Sequence, residues 1–152
     1  MNDIVSPPRQ EAIERRDLIE YVESGCTPKA EWAIGTEHEK FGYSLSDLRP
    51  LPYDGPAGIR AMLEGLQRFD WKPYFEGENV IALTKVDGSS VSLEPGGQFE
   101  LSGAALPNLH RVCDEVHTHL DQVATVSKEL GVGFLGLGFQ PKWKRDDIHW
   151  MP

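Results

Sequence analysis

One acidic stretch decides the fold: Gly35-Thr36-Glu37-His38-Glu39-Lys40-Phe41-Gly42-Tyr43. Large apolar residues alternate with smaller or polar ones from residue 32 onward, and this alternation predicts a β-strand over about residues 32–44. Successive side chains of a strand point to opposite faces of the sheet, so Glu37 and Glu39 share one face. His38 and Lys40 share the other face, and we therefore expect His38 to have a structural role away from the carboxylates.

The two carboxylates repel each other if their side chains converge. Their positions on the strand are about 7 Å apart, which is two rises of about 3.3 Å. Carboxylates that approach to about 4 Å repel by about 4 kcal/mol at an effective dielectric constant near 20. Protonation of one carboxylate or binding of a cation relieves this repulsion, and oxygen ligands without cysteine suit Mg²⁺ or Mn²⁺. A solvated polar face on an edge strand is the alternative interpretation.

A second acidic stretch has the same character: Glu94-Pro95-Gly96-Gly97-Gln98-Phe99-Glu100-Leu101-Ser102-Gly103. Alternation in a strand places Gln98 and Glu100 on one face and apolar side chains on the other. The pair Gly96-Gly97 predicts either a bulge or a tight turn. If the glycines form a bulge within one strand, Glu94 joins the face of Gln98 and Glu100.

Composition and charge limit the classes of protein to which this sequence can belong. With 152 residues, 39% of them hydrophobic and 26% charged, the chain is long enough for one soluble globular domain with its own core. A formal net charge of -9 argues against nucleic acid or an anionic membrane as the main partner. No apolar run approaches the roughly 18 residues of a membrane span, and the N-terminus lacks a signal-peptide pattern, so we expect a cytoplasmic location. Cys26 and Cys113 match no zinc-binding spacing and are expected to be reduced thiols.

Periodicity along the rest of the chain predicts helices and further strands. Apolar residues at helical spacing mark three helices, over residues 10–23, 56–69 and 106–130. Apolar runs mark four more strands, over residues 71–75, 80–85, 90–94 and 132–139. The longest helix is expected to bury a stripe formed by Leu109, Val112, Val116, Leu120 and Val123. Residues 1–152 are thus predicted to form one α+β unit, with a mainly antiparallel sheet packed with helices and a flexible segment at residues 1–9. A turn signal at Asp87-Gly88 predicts a hairpin.

Three other patterns do not support the sites that they suggest. Residues 131–136 match the G-x-G-x-x-G spacing of dinucleotide-binding proteins, but here the helix precedes the motif and the strand follows it. His38-Glu39 begins an H-E-x-x-H zinc motif that has no second histidine. We interpret His110 and His117, seven residues apart on one helix, as partly exposed positions beside the core stripe and not as metal ligands.

Several runs of the sequence together resemble one enzyme family. The two acidic stretches, residues 35–42 and 94–103, closely resemble glutamate–cysteine ligase of the plant and proteobacterial type. Further matching runs are Ser24-Gly25-Cys26-Thr27-Pro28-Lys29, Phe69-Asp70-Trp71 and Phe134-Leu135-Gly136-Leu137-Gly138-Phe139-Gln140-Pro141-Lys142-Trp143. The resemblance extends from about residue 15 to residue 152, and His149, where the family usually has proline, is a departure outside the acidic motifs.

The resemblance implies a fold and an activity. The family builds its catalytic sheet as a curved half-barrel related to glutamine synthetase, so we expect this chain to be the N-terminal part of a larger catalytic domain. Members join the γ-carboxylate of L-glutamate to the amine of L-cysteine through an acyl phosphate formed with ATP, the first step of glutathione biosynthesis. The implied small-molecule partners are glutamate, cysteine and ATP, and the implied cofactor is Mg²⁺ or Mn²⁺. Some plant members are regulated through disulfides, which draws attention to Cys26.

The resemblance also assigns site residues. Carried over by motif, Glu37, Glu39 and Glu100 are the expected metal ligands, whereas Glu94 and Gln98 are candidates for a metal or substrate contact. Family members run to several hundred residues, so we expect a 152-residue chain to be an incomplete and inactive piece of the ligase. Two alternatives are a non-catalytic metal- or nucleotide-binding fragment and another carboxylate–amine ligase of the same fold.

Overall fold

The computed structural model describes residues 12–152, and the chain divides into a unit that ends at Trp32 and a unit that spans Ala33–Pro152. The sequence predicts one unit. The segment expected to be flexible, residues 1–9, and the first two residues of the first expected helix lie outside the described residues.

The first unit contains α1, Arg15–Ser24, and a short 3-10 helix, Lys29–Glu31. The expected helix started at residue 10, but residues 12–14 are not helical. The helix begins later because the Asp17 side chain accepts a hydrogen bond from the Glu14 backbone N–H at 2.8 Å and so caps the first turn. The apolar side chains of α1 are exposed in the described structure.

The second unit is built on one sheet. Within the described residues its strands are β1 (Glu37–Ser44), β2 (Lys72–Glu76), β3 (Asn79–Thr84), β4 (Ser90–Glu94), β5 (Gln98–Ser102) and β6 (Val132–Leu135). Their spatial order is β2-β3-β4-β5-β1-β6, and every neighbouring pair is antiparallel. The predicted hairpin at Asp87-Gly88 is confirmed, since it joins β3 to β4 with Gly88 at a φ of 90°. The α+β class with an antiparallel sheet is also confirmed.

Two helices cover one face of this sheet: α2, Ile59–Leu66, continued by a 3-10 turn, and α3, Leu109–Leu130. Their apolar side chains and those of the sheet form one core, whose fully buried members include Met62, Leu63, Leu66, Leu83, Val91, Phe99 and Val126. Gly65 allows α2 to approach α3 closely, because a Cβ atom at this position would lie only 2.6 Å from Val126 Cγ1. None of the helices in the described part of the chain combines the length and apolar character needed to cross a membrane.

The buried face of α3 differs from the expected stripe. Its buried residues are His119, Val123, Val126 and Ser127, whereas Leu109 is 69% exposed. These four positions follow the i, i+4, i+7, i+8 pattern of a single helix face, but two of them are polar, and a search for apolar residues therefore selects the neighbouring face. The helix also begins at Leu109 and not at residue 106, because the Asn108 side chain accepts a hydrogen bond from the Arg111 backbone N–H.

The last strand is shorter than expected. The apolar run predicts a strand over residues 132–139, but β6 ends at Leu135 after pairing with the second half of β1. Gly136 and Gly138 explain the early end, since glycine lacks a side chain to pack and weakens a strand. The segment beyond β6 is consequently free to run beside the acidic end of β1, where an added Cβ atom on Gly136 would lie 3.8 Å from Glu39 O.

Candidate functional site

The strand register brings the predicted acidic residues onto one face of the sheet. Glu39 of β1 pairs directly with Glu100 of β5, and Glu37 pairs with Ser102. On the other side of β5, Glu100 pairs with Ser92 of β4. Directly paired residues share a face in an antiparallel sheet. Glu37, Glu39 and Glu100 therefore lie on the face opposite to the helices.

The Gly96-Gly97 pair forms a turn and not a bulge. Both glycines have a φ of 78°, a conformation that L side chains rarely adopt, and Gly97 N donates to Glu94 O at 3.0 Å. This turn joins β4 to β5 as a hairpin and makes Glu94 the direct partner of Gln98. Glu94 thus shares the face of Gln98 and Glu100, as the bulge interpretation also required, but it does so from the neighbouring strand.

Two hydrogen bonds organise this carboxylate face, which we define as Glu37, Glu39, Glu94 and Glu100. The Gln98 amide donates from Nε2 to Glu39 Oε2 at 2.8 Å, and the Ser92 hydroxyl donates to Glu100 Oε2 at 3.1 Å. Gln98 is itself buried, so its amide holds the Glu39 carboxylate in place from a fixed position. Glu37 and Glu39 are exposed, whereas Glu94 and Glu100 are half-buried.

The carboxylate face carries more negative charge than its surroundings neutralise. The pKa of Glu94 is raised above its ordinary value, first by the charge of Glu100 and next by desolvation. The charges of Glu39 and Glu37 raise it further by smaller amounts. A carboxyl pKa that is raised by like charges indicates a place where a cation would be stabilised.

The face is a set of separate carboxylates and not a closed cage. Among residues 12–152, no three or more histidine, cysteine, aspartate or glutamate side chains are grouped closely enough to hold a metal ion. Every side-chain oxygen that this face offers to a cation belongs to a carboxylate, an amide or a hydroxyl group. These are the ligand atoms that Mg²⁺ and Mn²⁺ prefer. The chemistry of these oxygen atoms would therefore suit a hard divalent cation.

The opposite face of β1 carries a buried cation. Lys40 is 1% exposed, and its Nζ lies 3.4 Å from His38 Nδ1 and 3.4 Å from Phe99 O. Burial lowers the pKa of Lys40 to about 8, although the charge of Glu100 acts in the other direction. Burial, followed by the charge of Lys40, also lowers the pKa of His38. His38 thus has a structural partner on the helix side of the strand, as the alternation predicted.

One segment that borders the carboxylate face was not predicted from the sequence. Residues 136–138 line a shallow cavity of about 320 Å³ together with Glu37, His38 and Glu39. The prediction of a continuous strand over residues 132–139 concealed this segment. Glycines interrupt the apolar run at positions 136 and 138, and they could have indicated that the strand ends before this segment.

The two cysteines lie far from this face in sequence and are free, exposed thiols in the structure. Cys113 Sγ is 3.5 Å from His117 Nδ1, one turn further along α3.

These features define an α+β protein whose antiparallel sheet is covered by helices on one face and bears carboxylates on the other. Residues 33–152 match the family model described as glutamate-cysteine ligase family 2 (GCS2), and the chain belongs to this family. The match includes both acidic stretches and all six strands.

Curated relatives support the same assignment. The chain is 53% identical to "Glutamate--cysteine ligase, chloroplastic" of Medicago truncatula over 97% of its own length and 30% of the relative. It is 54% identical to "Glutamate--cysteine ligase A, chloroplastic" of Oryza sativa subsp. japonica over the same shares, and 53% identical to the Arabidopsis thaliana enzyme over 97% and 29%. The chain therefore spans about 30% of the length of the curated relatives that it matches.

The expected cytoplasmic location is wrong by this comparison, because these relatives are chloroplastic glutamate–cysteine ligases. The expectation rested on the lack of a secretory signal and of an apolar span. A chloroplast transit peptide is amphipathic and not apolar, so neither observation distinguishes the two compartments.

Proposed function

We propose that the chain supplies the cation-binding face of an ATP-dependent glutamate–cysteine ligase. The observation that carries this proposal is the direct pairing of Glu39 with Glu100 on a sheet face that also bears Glu37 and Glu94. Membership of the glutamate–cysteine ligase family supports the reaction type. Glutamate, cysteine and ATP are the substrates that we assign to the complete enzyme.

The carboxylate face suits a metal that handles phosphates. Glu37, Glu39 and Glu100, whose carboxylates are separate in the structure, would converge on Mg²⁺ or Mn²⁺, and Glu94 and Gln98 lie beside them for a further metal or substrate contact. A bound divalent cation supplies charge neutralisation of the triphosphate and of the transferring phosphoryl group. Two hydrogen bonds would help to fix the position of this cation, since Gln98 restrains the Glu39 carboxylate and Ser92 restrains that of Glu100.

The reaction that we assign has two steps. An oxygen of the glutamate γ-carboxylate forms a bond to the γ-phosphorus of ATP, the bond from this phosphorus to the β,γ-bridging oxygen breaks, and ADP leaves. The cysteine amine then attacks the resulting acyl phosphate, inorganic phosphate leaves, and the amine loses a proton. The acidic face contributes by holding cations near the phosphates, because carboxylates alone repel a polyanion.

We also assign the sheet to the curved catalytic sheet of glutamine synthetase-like carboxylate–amine ligases, of which residues 33–152 form one part. The antiparallel topology supports this assignment, as does the division of the sheet into a helix-covered apolar face and an open acidic face. We assign the groups that bind the glutamate α-carboxylate to the parts of the relatives that this chain does not cover, since the chain spans about 30% of their length.

A chimera tests the proposed function. Residues 1–152 would replace the matching segment of the Arabidopsis thaliana relative, to which they are 53% identical. We expect ADP release that depends on glutamate, cysteine and Mg²⁺, and we expect Glu100→Gln in the chimera to reduce the turnover by about 100-fold or more, the scale of losing electrostatic stabilisation of the transition state.

The matched control in the chimera is Glu76→Gln, an exposed carboxylate of β2 that does not contribute to the raised pKa of Glu94. Its turnover should equal that of the parent chimera. A folded chimera that releases no ADP would overturn the proposed activity. Near-normal turnover of the Glu100→Gln chimera at saturating Mg²⁺ would overturn the metal assignment alone.

A further inference from the structure

The carboxylate face depends on the short turn that precedes β5. Gln98 is the first residue after the Gly96-Gly97 turn, and its amide donates to Glu39 Oε2 at 2.8 Å. Both glycines have a φ of 78°, and neither has a side chain whose contacts could hold the turn in place. The position of the Gln98 amide therefore depends on the residues that pack against the turn.

Two side chains from one distant segment of the chain pack against this turn. A Cβ atom added to Gly96 would lie 2.7 Å from Ile148 Cγ2, and one added to Gly97 would lie 2.9 Å from Met151 Cε. Real Cβ atoms do not approach other atoms so closely, so the two side chains already occupy the space beside the glycines. Met151 also packs against the hydrophobic core, whereas Ile148 is 40% exposed. Met151 is therefore the more firmly held of the two contacts.

Residues 143–151, the segment that carries both contacts, are also attached to β1. The Trp143 ring packs against Phe41 of β1 in a T-shaped arrangement, with the ring centroids 6.2 Å apart. Trp143 Nε1 also donates to Leu48 O at 3.0 Å in the loop that follows β1. Phe41 lies two residues beyond Glu39 on the same strand and so shares its face. The segment thus connects the strand that bears Glu39 with the turn before β5.

Removal of the Met151 side chain would disturb the paired carboxylates through this turn. The turn would gain conformations, because glycine has more backbone freedom than any other residue. A hydrogen bond weakens steeply as its angle departs from linearity, so a displaced Gln98 amide restrains Glu39 less. The charge of Glu100, its direct cross-strand partner, would then push the Glu39 carboxylate away.

We propose that Met151 is a positioning residue of the carboxylate face, which holds the Gln98 amide against Glu39 by packing against the Gly96-Gly97 turn. Its effect on cation binding rests on the function proposed above, whereas its effect on the Gln98 amide does not. Met151 acts only through the turn, because its side chain packs against the core and offers no oxygen to a hard cation.

The side-chain amide signals of Gln98 in ¹H–¹⁵N NMR spectra test the proposal without any metal. Met151→Ala should move them toward the signals of a solvated glutamine. The same variant should raise their exchange rate with water by about 10-fold, the scale of losing one hydrogen bond to a charged group. Met151→Leu, which keeps the apolar volume, should restore the wild-type signals. Trp150→Ala is the matched control and should leave them unchanged, since Trp150 is the preceding residue and is 94% exposed.

Mn²⁺ binding connects this effect with the proposed function. Electron paramagnetic resonance of the free ion should show that Met151→Ala weakens Mn²⁺ binding by about 10-fold, as the loss of the hydrogen bond implies. In the background of Gln98→Met, which removes the amide, Met151→Ala should have no further effect, whereas a merely structural role would weaken binding in both backgrounds. A wild type that binds no Mn²⁺ would contradict the proposed cation site, and the Gln98 signals would still decide the role of Met151.

Two results overturn the inference. One is an unchanged Gln98 amide signal in folded Met151→Ala, and the other is an equal loss of Mn²⁺ affinity from Met151→Ala with and without the Gln98 amide. If Met151→Ala does not fold, Ile148→Ala takes its place, since truncation of this 40% exposed side chain frees the turn beside Gly96. Its Gln98 signals should move in the same direction by a smaller amount, and unchanged signals overturn the inference as well.

Discussion

Glu39 and Glu100 are direct cross-strand partners on the open face of the sheet. Like charges at directly opposed positions destabilise an antiparallel pair, and Gln98 holds the Glu39 carboxylate in this arrangement through a 2.8 Å hydrogen bond. The structure therefore maintains a repulsive pair at the centre of its acidic face. A sheet position that served stability alone would not carry this pair.

Glu100→Gln should move the pKa of Glu94 back toward its ordinary value, because the charge of Glu100 is the largest cause of the shift. A carboxyl group whose folded-state pKa is raised contributes stability below its unfolded-state pKa and loses that contribution as the pH rises through the folded-state value. The wild type should consequently lose stability across this window, above about pH 4.5, and the variant should lose less. Denaturant unfolding at several pH values and ¹³C NMR titration of Glu94 measure the two effects.

The same variant should bind Mn²⁺ more weakly, which electron paramagnetic resonance of the free ion measures. Glu76→Gln, which removes a carboxylate of β2, serves as the control for both experiments. An unchanged Glu94 titration in Glu100→Gln would contradict the electrostatic account of the carboxylate face.

Lys40→Met tests the buried cation on the other side of β1. The pKa of Lys40 is lowered from 10.5 to about 8, so the unfolded chain retains this proton over a pH range in which the folded protein has lost it. Stability therefore rises with pH between about 8 and 10, and it falls as the pH drops and the buried amine is protonated. Methionine has no charge at this position, so the advantage of the variant over the wild type should shrink across this range, at up to about 1.4 kcal/mol per pKa unit.

Parallel denaturant titrations of both proteins at pH 8, 9 and 10 give this difference. Lys72→Met is the control, since Lys72 is an exposed lysine of β2. A constant difference between Lys40→Met and the wild type would show that Lys40 keeps an ordinary pKa in the folded protein.

The acidic face could be predicted from the sequence because it depends mostly on local alternation. The spacing of Glu37 and Glu39, and that of Gln98 and Glu100, already places each pair on one face of its strand. What the spacing does not contain is the register between strands that makes Glu39 and Glu100 partners. The family resemblance led to the expectation that the two acidic stretches act together. The choice between a turn and a bulge at Gly96-Gly97 stayed open because it also depends on how the strands pair.

The buried face of α3 could not be predicted from the sequence. Apolar periodicity alone points to Leu109 and its neighbours, whereas the core contains His119 and Ser127. A buried histidine has no local signal, since its burial is decided by Trp71 and other residues distant in sequence. Helix α1 shows the converse. Its apolar residues have the spacing of a buried helix face, but they are exposed in the described structure.

Gly65→Ala should destabilise the protein although alanine is the better helix former. The gain in helix propensity is about 1 kcal/mol, but the new Cβ atom would lie 2.6 Å from Val126 Cγ1. Valine is stiff at χ1 in a helix, so α2 and α3 must move apart, and such overpacking costs about 1–3 kcal/mol. We expect a net loss in the free energy of unfolding of about 1 kcal/mol, measured by urea denaturation.

A double-mutant cycle isolates this contact. Val126→Ala creates space for the new methyl group, so Gly65→Ala should be neutral or stabilising in that background, with a coupling energy of about 1 kcal/mol or more. Additive effects of the two substitutions would show that α2 and α3 do not meet at Gly65.

The isolated chain of 152 residues should not catalyse glutamate–cysteine ligation. Phosphoryl transfer depends on groups placed on all sides of the transferred phosphate, and removing part of such an arrangement costs most of the rate. The chain contributes one acidic wall, its sequence contains no P-loop motif, and it spans about 30% of its relatives. We expect ADP release from the chain with glutamate, cysteine, ATP and Mg²⁺ to equal that of a protein-free blank, whereas the chimera with the Arabidopsis thaliana relative is active.

Binding of Mn²⁺ to the isolated chain would show that its acidic face has formed, so that the missing turnover reflects missing partners and not misfolding. Turnover by the isolated chain comparable to that of the chimera would show that residues 1–152 already surround the phosphate, and that the division of the site proposed here is wrong.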